Sequence, residues 1–272
     1  MPYTDLHVHL LPAVDDGSRD YVQSLTHARR MAEDRVAEVV LTPHVGHPSF
    51  PLEVASIEAH AAALRGVLER AGLQVRLHVG GEIHPRAASA LSARELDAIA
   101  QGPPGARWVL LETPFKGIDA DYVAACRSLR QRGFGVLIAH PERAARFLPD
   151  GLDDLAGELS AGALLQVSAC SLLGDHGSAI RRTAEELVVS GRAHVIASDG
   201  HPRSRRQTLR DGHRLAFAAG ASERRAWELT IGNPQLLLSR GIVPVPVGRP
   251  WHAHPAERLA ATRAAARRLP SR

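Results

Sequence analysis

Histidines and carboxylates close one apolar run after another along this 272-residue chain: His7 and His9, His44, Glu82, Glu112, His140, and Asp199 with His201. Each can offer an imidazole nitrogen or a carboxylate oxygen to a metal ion. The His7-x-His9 spacing puts two imidazoles on one face of a strand, because strand side chains repeat every two residues. An aspartate or glutamate directly after Val-Ile-Ala-Ser or Trp-Val-Leu-Leu loses solvation, and a cation or a hydrogen-bond network must offset that cost. A polymetal site would do so. The mixed nitrogen and oxygen donors suit Zn²⁺, Mn²⁺ or Fe²⁺ and disfavour Cu(I). Only Cys126 and Cys170 are present, which excludes a four-cysteine zinc site and a disulfide framework.

These residues need elements that bring them together. Apolar, β-branched runs predict strands over Thr4–His9, Ala37–His44, Gln74–Glu82, Trp108–Glu112, Gly135–His140, Leu164–Ser168 and His194–Asp199. Between them, helical periodicity predicts Ser18–Asp34, with Ser18 as cap and Val22, Leu25 and Met31 on one face, and Glu53–Ala71, ended by Gly72. Asp121–Arg132, Ser178–Ser190 and Ser222–Ile231 repeat the pattern. The alternation predicts an α/β fold with a mainly parallel sheet. If the sheet closes into a barrel, the C-terminal strand ends meet at one face and the scattered ligands become a cluster.

A hydrophobic content of 44% and a charged content of 23% exclude disorder and coiled coil. No run approaches a membrane span, and the opening Met1-Pro2-Tyr3-Thr4-Asp5 lacks a secretory layout, so a cytoplasmic location is expected. Net charge is +4, but aromatics are only 4% and the basic concentration is confined to Arg258–Arg272, so nucleic acid is not an expected partner. No Gly-, Ser- or Pro-rich linker divides the chain; one domain is expected over 1–243, followed by an Arg/Ala-rich, partly helical tail over 244–272.

The opening Asp5-Leu6-His7-Val8-His9 resembles the first motif of the polymerase-and-histidinol-phosphatase (PHP) superfamily of metal-dependent phosphoesterases. More narrowly, the chain is similar to the bacterial manganese-dependent protein-tyrosine phosphatases of capsule and exopolysaccharide operons, the CpsB/YwqE type. The similarity rests on His9-Leu10-Leu11-Pro12 with Asp15-Asp16-Gly17, Thr42-Pro43-His44, Gly81-Glu82-Ile83, Leu111-Glu112, Ile138-Ala139-His140-Pro141-Glu142-Arg143, Ser171-Leu172-Leu173-Gly174 and Ile196-Ala197-Ser198-Asp199-x-His201. The resemblance implies a distorted TIM-like (β/α)7 barrel with three divalent ions, Mn²⁺ foremost and Zn²⁺ or Fe²⁺ as alternatives. It assigns His7, His9, Glu82 and Asp199 to the first ion, a bridging Glu82 with Glu112 and His140 to the second, and Asp16, His44 and His201 to the third. It also implies a phosphotyrosine protein as substrate, specifically a bacterial tyrosine autokinase that controls polysaccharide export.

In such a site cations neutralise the phosphate and make a water nucleophile available near neutral pH, so that in-line attack needs no phosphoenzyme. Arg143 and Arg206 are the candidates for guanidinium clamps on phosphate oxygens, with Arg203 and Arg205 as neighbours able to take the place of Arg206. His47 or His84 could protonate a leaving group, although a phenolate of pKa about 10 needs little help. Cys126 to Arg132 matches the Cys-x5-Arg spacing of cysteine-dependent phosphatases but falls inside a helix without a glycine-rich cradle, so it is set aside. His27, His60, His78, His176, His213, His252 and His254 are expected in solvated or capping roles. Three readings compete with a tyrosine phosphatase: a phosphoesterase for a small ester such as histidinol phosphate, a metal-binding barrel without catalysis, and an amidohydrolase-like barrel. The last is weakened by the lack of a mid-chain bridging lysine, Lys116 being the sole lysine.

Overall fold

The computed structural model describes residues 1–243, so the expected tail over 244–272 lies outside the described residues. Among these residues nine strands form parallel ladders: β1 (Tyr3–Val8), β2 (Val36–Leu41), β3 (His44–Val45), β4 (Arg76–Val79), β5 (Glu82–Ile83), β6 (Trp108–Glu112), β7 (Gly135–Ala139), β8 (Leu164–Ser168) and β9 (Val195–Ala197). One sheet runs β1-β2-β4 and the other β3-β5-β6-β7-β8-β9. A parallel bridge between Val8 and Gly200 links β1 to the far edge, and the His9 N–H donates to the Gly200 carbonyl at 2.9 Å.

Two predicted strands are each broken in two. The stretch Ala37–His44 divides at Thr42-Pro43, where proline has no N–H for the ladder. Gln74–Glu82 divides at Gly80-Gly81, where the chain kinks tightly against its neighbour. A Cβ on Gly80 would come within 2.6 Å of Val40 Cγ1, and one on Gly81 within 2.7 Å of Val45 Cγ2. Across the break the chains stay joined, Gly80 donating to Leu41 O (2.9 Å) and Glu82 to Pro43 O (3.0 Å). Counted with their continuations, the strands occupy seven positions around a distorted α/β barrel.

Alternate strand residues fill the barrel. Leu6, Val40, Trp108, Leu110, Leu137 and Leu164 form a cluster closed by Leu237, whose carbonyl accepts from Trp108 Nε1 at 3.0 Å. A larger apolar layer packs helices on the outside, and β6, β7 and β8 are buried along their whole length, as expected for parallel strands covered on both faces.

The helices are α1 (Tyr21–Glu33), α2 (Val54–Arg70), α3 (Ala93–Ile99) and α4 (Ala120–Gln131), followed by further segments that include Ser178–Val189 and Leu209–Ala218. Asp20 rather than Ser18 caps α1, accepting from the Gln23 N–H, while Ser18 is buried ahead of the helix. The covered face of α1 is Ser24, His27, Ala28 and Met31; Val22 falls off that face and is 72% exposed at an open cavity that Pro202, Arg203 and Arg206 also line. The α2 helix ends at Ala71 with Gly72 in the left-handed region, as predicted. The predicted Ser222–Ile231 helix is instead a short Glu223–Trp227 segment that runs through a wide turn into Asn233–Arg240. No described helix is long and apolar enough to cross a membrane.

Candidate metal centre

The strand ends bring all nine expected ligands into one cluster at the C-terminal rim of the barrel. His7 Nε2 and His9 Nε2 face each other at 3.1 Å, and Glu82 Oε2 lies 3.5 Å from the first and 3.3 Å from the second. Asp199 Oδ1 is 3.6 Å from His7 Nε2, and Glu82 Oε1 accepts from His140 Nε2 at 2.8 Å. His44 stands between the two sides, with Nδ1 3.2 Å from Glu82 and Nε2 3.4 Å from Asp16, and Asp16 also meets His201 Nε2 at 3.2 Å. Glu112 comes within 3.9 Å of His44.

Among the described residues, donor atoms gather within metal-binding reach in four overlapping groups: His7, His9 and Glu82; His44, Glu82 and Glu112; His9, Asp16, His44 and His201; and His47, His84 and Glu112. His44 thus approaches Glu82 and Glu112 as well as Asp16, a wider reach than the sequence assignment gave it.

Local backbone explains the aim of several side chains. The pairing of β1 with β2 slips between Asp5 and Val8, so that Leu6 packs in the barrel while its neighbour His7 reaches Gln166 Oε1 at 2.9 Å. His140 (φ +35°) and Asp199 (φ +50°) are non-glycine residues in the left-handed region, turning out of β7 and β9 into the cluster. Such conformations cost on the order of 1–3 kcal/mol and persist where surroundings enforce them.

Two anchors were not singled out from sequence. Asp15 accepts from His9 Nδ1 at 2.8 Å, from the His44 N–H at 3.2 Å and from the Gly17 N–H at 2.9 Å. Gln166, a polar residue inside the apolar run Leu164–Ser168, holds His7 Nδ1. By occupying Nδ1, these acceptors leave Nε2 of both histidines directed at the cluster.

The arginines separate. Arg143 Nη1 donates to Asp199 Oδ2 at 2.9 Å, and its guanidinium sits 4.5 Å over the Phe115 ring. Arg205 donates to the Asp199 carbonyl and to Oδ1, at 3.0 and 3.2 Å. Arg206 lies away from the cluster on an exposed rim, donating to Pro202 O at 3.2 Å. Of the Arg203–Arg206 group, Arg205 is therefore the residue that faces the cluster.

The charges within the cluster depend on one another. Burial opposes ionisation of Asp199 and Glu82, yet Arg205 and His7 hold Asp199, and His7 and His44 hold Glu82, well below the ordinary carboxylate range. Burial, reinforced by the neighbouring Glu82 charge, pushes Glu112 up to about 7. Burial works against protonating His9 and His44, but Asp15 for the first and Glu82 for the second raise both to about 9. Buried His140, beside Arg143, falls to about 4. Glu112 Oε2 and His44 Nδ1 are buried without a hydrogen-bond partner. Two imidazole nitrogens face to face, buried carboxylates and unpartnered buried polar atoms make one convergent donor set, and divalent cations, which replace the ring protons, fit it.

Beside Glu112 a cavity of about 890 Å³ opens between His47 and His84 on one wall and Phe115, Lys116 and Tyr122 on the other. His47 stacks on Phe50 with ring centres 4.8 Å apart and meets His84 edge-on at 5.3 Å. Cys126 is buried in α4 and its thiol is pushed far up by burial, while Arg132 donates to Ala88 O and Leu91 O; neither faces the cluster. Three histidines expected in solvated or capping roles depart from that expectation. His27 is 4% exposed on the covered face of α1, His78 pairs with Glu38 at 2.9 Å, and His213 meets Thr230 Oγ1 at 3.0 Å.

The sequence profile of the capsular polysaccharide synthesis family CpsB/CapC matches residues 3–239. A CapC protein of Staphylococcus aureus is 31% identical over 199 residues, covering 72% of this chain and 76% of the relative. The tyrosine-protein phosphatase YwqE of Bacillus subtilis is 28% identical over the same length and the same shares. Among solved structures, one from a study of YwqE of Bacillus subtilis and CpsB of Streptococcus pneumoniae, described as metal-dependent tyrosine phosphatases, superposes with a TM-score of 0.72. It is 25% identical and covers 90% of this chain and 100% of its own.

Proposed function

This chain belongs to the CpsB/CapC family of capsular polysaccharide synthesis, and on that premise we propose that it is a metal-dependent protein-tyrosine phosphatase. The observation that carries the reading is the convergence of nine nitrogen- and oxygen-bearing side chains, seven of them in overlapping donor groups and His140 and Asp199 reaching Glu82 and His7, without a thiol, on the rim of a barrel beside a cavity wide enough for an aryl group. The proposed ligands are His7, His9, Glu82 and Asp199; Glu82, Glu112 and His140; and Asp16, His44 and His201. They would hold three divalent ions, Mn²⁺ foremost, with Zn²⁺ and Fe²⁺ as competitors for the same donors.

Bound divalent ions would supply positive charge against the phosphate and a water nucleophile deprotonated near neutral pH. The chain's own residues do the rest. Asp15 and Gln166 fix the two imidazoles, so that the donor atoms are positioned before substrate arrives. Arg143 is the proposed phosphate clamp: its guanidinium already lies between the Asp199 carboxylate and the cavity wall at Phe115, and a planar donor fork matches phosphate oxygens. Arg205 keeps Asp199 ionised and is the better placed partner clamp than Arg206. Phe115, 51% exposed, offers the substrate ring an aromatic face. A phenolate leaving group of pKa about 10 needs less protonation than an alkoxide, so no dedicated acid is required.

The physiological substrate we propose is a tyrosine autokinase of polysaccharide export, met in the cytoplasm by one catalytic unit spanning the barrel. The test compares kcat/KM for a phosphotyrosine peptide with that for histidinol phosphate. A preference for the peptide of at least about a hundredfold is expected; a preference for the alkyl ester overturns the reading.

A further inference from the structure

Between α1 and the segment after β9 lies a cavity of about 480 Å³ whose wall carries Arg19, Arg30, Arg203 and Arg206, with buried His27 among them. Among the described residues no aspartate or glutamate lines it. Among the described residues, only Arg30 of the four guanidinium groups meets a carboxylate, Asp211 at 3.2 Å, and that contact is exposed. Four like charges around one concavity repel one another, and an anion with several charged oxygens relieves that repulsion while matching each planar fork.

Two of the cavity's arginines lead toward residues that support the metal ligands. Arg19 and Arg203 also line a smaller hollow of about 260 Å³ together with Asp15, Gly17 and Phe50. Asp15 anchors His9, and Phe50 stacks on His44 with ring centres 5.2 Å apart. A peptide with one residue at the centre can therefore lay a nearby residue against the arginines. The lining has no phenylalanine, tyrosine or tryptophan on which a nucleobase could stack, and its one imidazole, His27, is buried, which favours phosphate on a peptide over nucleic acid.

We infer that this arginine-walled groove holds a second phosphorylated residue of the same substrate protein, so that multiply phosphorylated segments are preferred to singly phosphorylated ones. The inference rests on the tyrosine-phosphatase reading for the residue at the centre. Arginine–phosphate pairs are among the stronger charge-assisted contacts, so one added phosphate should tighten binding at least about tenfold at low salt.

The test uses the full chain loaded with Mn²⁺ and labelled peptides in which a hydrolysis-resistant phosphonate replaces phosphotyrosine, with or without a second phosphorylated residue at a series of short spacings. Fluorescence anisotropy gives Kd for each. The expected result is binding at least about tenfold tighter with the second phosphate, a gap that closes in Arg19→Glu/Arg30→Glu while hydrolysis of p-nitrophenyl phosphate is unchanged. Equal Kd values for the two peptides at every spacing, or a gap that survives the double substitution, would overturn the inference. Failure to hydrolyse any natural phosphotyrosine peptide would instead count against the catalytic reading, and the phosphonate arms would still decide the groove.

Discussion

Asp15 shows how much of this site depends on residues that touch no substrate. Its carboxylate accepts hydrogen bonds from His9 Nδ1–H and from the backbone N–H groups of His44 and Gly17, so one side chain fixes two ligands. In Asp15→Asn we expect Mn²⁺ affinity to fall by about ten- to a hundredfold while the fold is kept, as isothermal titration and circular dichroism would show; unchanged affinity would remove Asp15 from the positioning role. Cys126 makes the opposite case. Buried in α4 with its thiol held protonated, it should be dispensable for hydrolysis, so Cys126→Ala should retain kcat within about twofold, at a small stability cost. Most of the cluster was legible because its members end apolar runs, where a carboxylate or imidazole is conspicuous. Gln166 was not, since an uncharged amide inside Leu-Leu-x-Val-Ser carries no comparable signal until its contact with His7 is seen. The choice among Arg203, Arg205 and Arg206 was equally closed to spacing, because the turn after His201 decides which guanidinium points inward.

At the scale of elements, the broken strands do positional work. Pro43 and the Gly80-Gly81 pair interrupt the second and third strands just before His44 and Glu82, so both ligands sit on short continuations that pair with each other, His44 opposite Glu82. Adding a methyl group at Gly80 places it 2.6 Å from Val40 Cγ1 and 3.0 Å from Leu41 O, too close to be absorbed without moving β2 or β4. Gly80→Ala is therefore expected to lower stability by about 1–3 kcal/mol and to weaken metal binding through Glu82, checked by urea unfolding and Mn²⁺ titration on the same sample. Apolar, β-branched runs marked all seven strand positions. They could not mark the two interruptions as structural breaks, because proline or glycine near a strand end reads equally well as a simple terminus. The α1 cap was misassigned for a related reason: Ser18 and Asp20 are both good caps, and burial of Ser18 ahead of the helix settles the choice only in three dimensions.

For the whole molecule, the closed barrel converts separate charged residues into a mutually dependent set, and stability should report it. His27 is buried with a pKa lowered by burial and by the Arg30 charge to about 4, against an ordinary 6.5. Above pH 6.5 it is neutral in both folded and unfolded chains; between 6.5 and about 4 only the unfolded chain takes the proton, so folding weakens as the pH falls. The loss is at most roughly 3 kcal/mol. A His27→Leu variant should show a correspondingly smaller drop in urea midpoint between about pH 7.5 and pH 5, whereas an identical drop would contradict the assignment. The central claim is that one metal-loaded cluster performs the hydrolysis. Its most direct measurement is turnover of a phosphotyrosine peptide after chelation and readdition of Mn²⁺, Zn²⁺, Fe²⁺ or Mg²⁺, with His44→Ala and Asp199→Ala alongside. We predict that chelation abolishes activity, that Mn²⁺ restores it best, and that neither variant recovers. Undiminished turnover in the chelated protein, or full activity in either variant, would contradict the account.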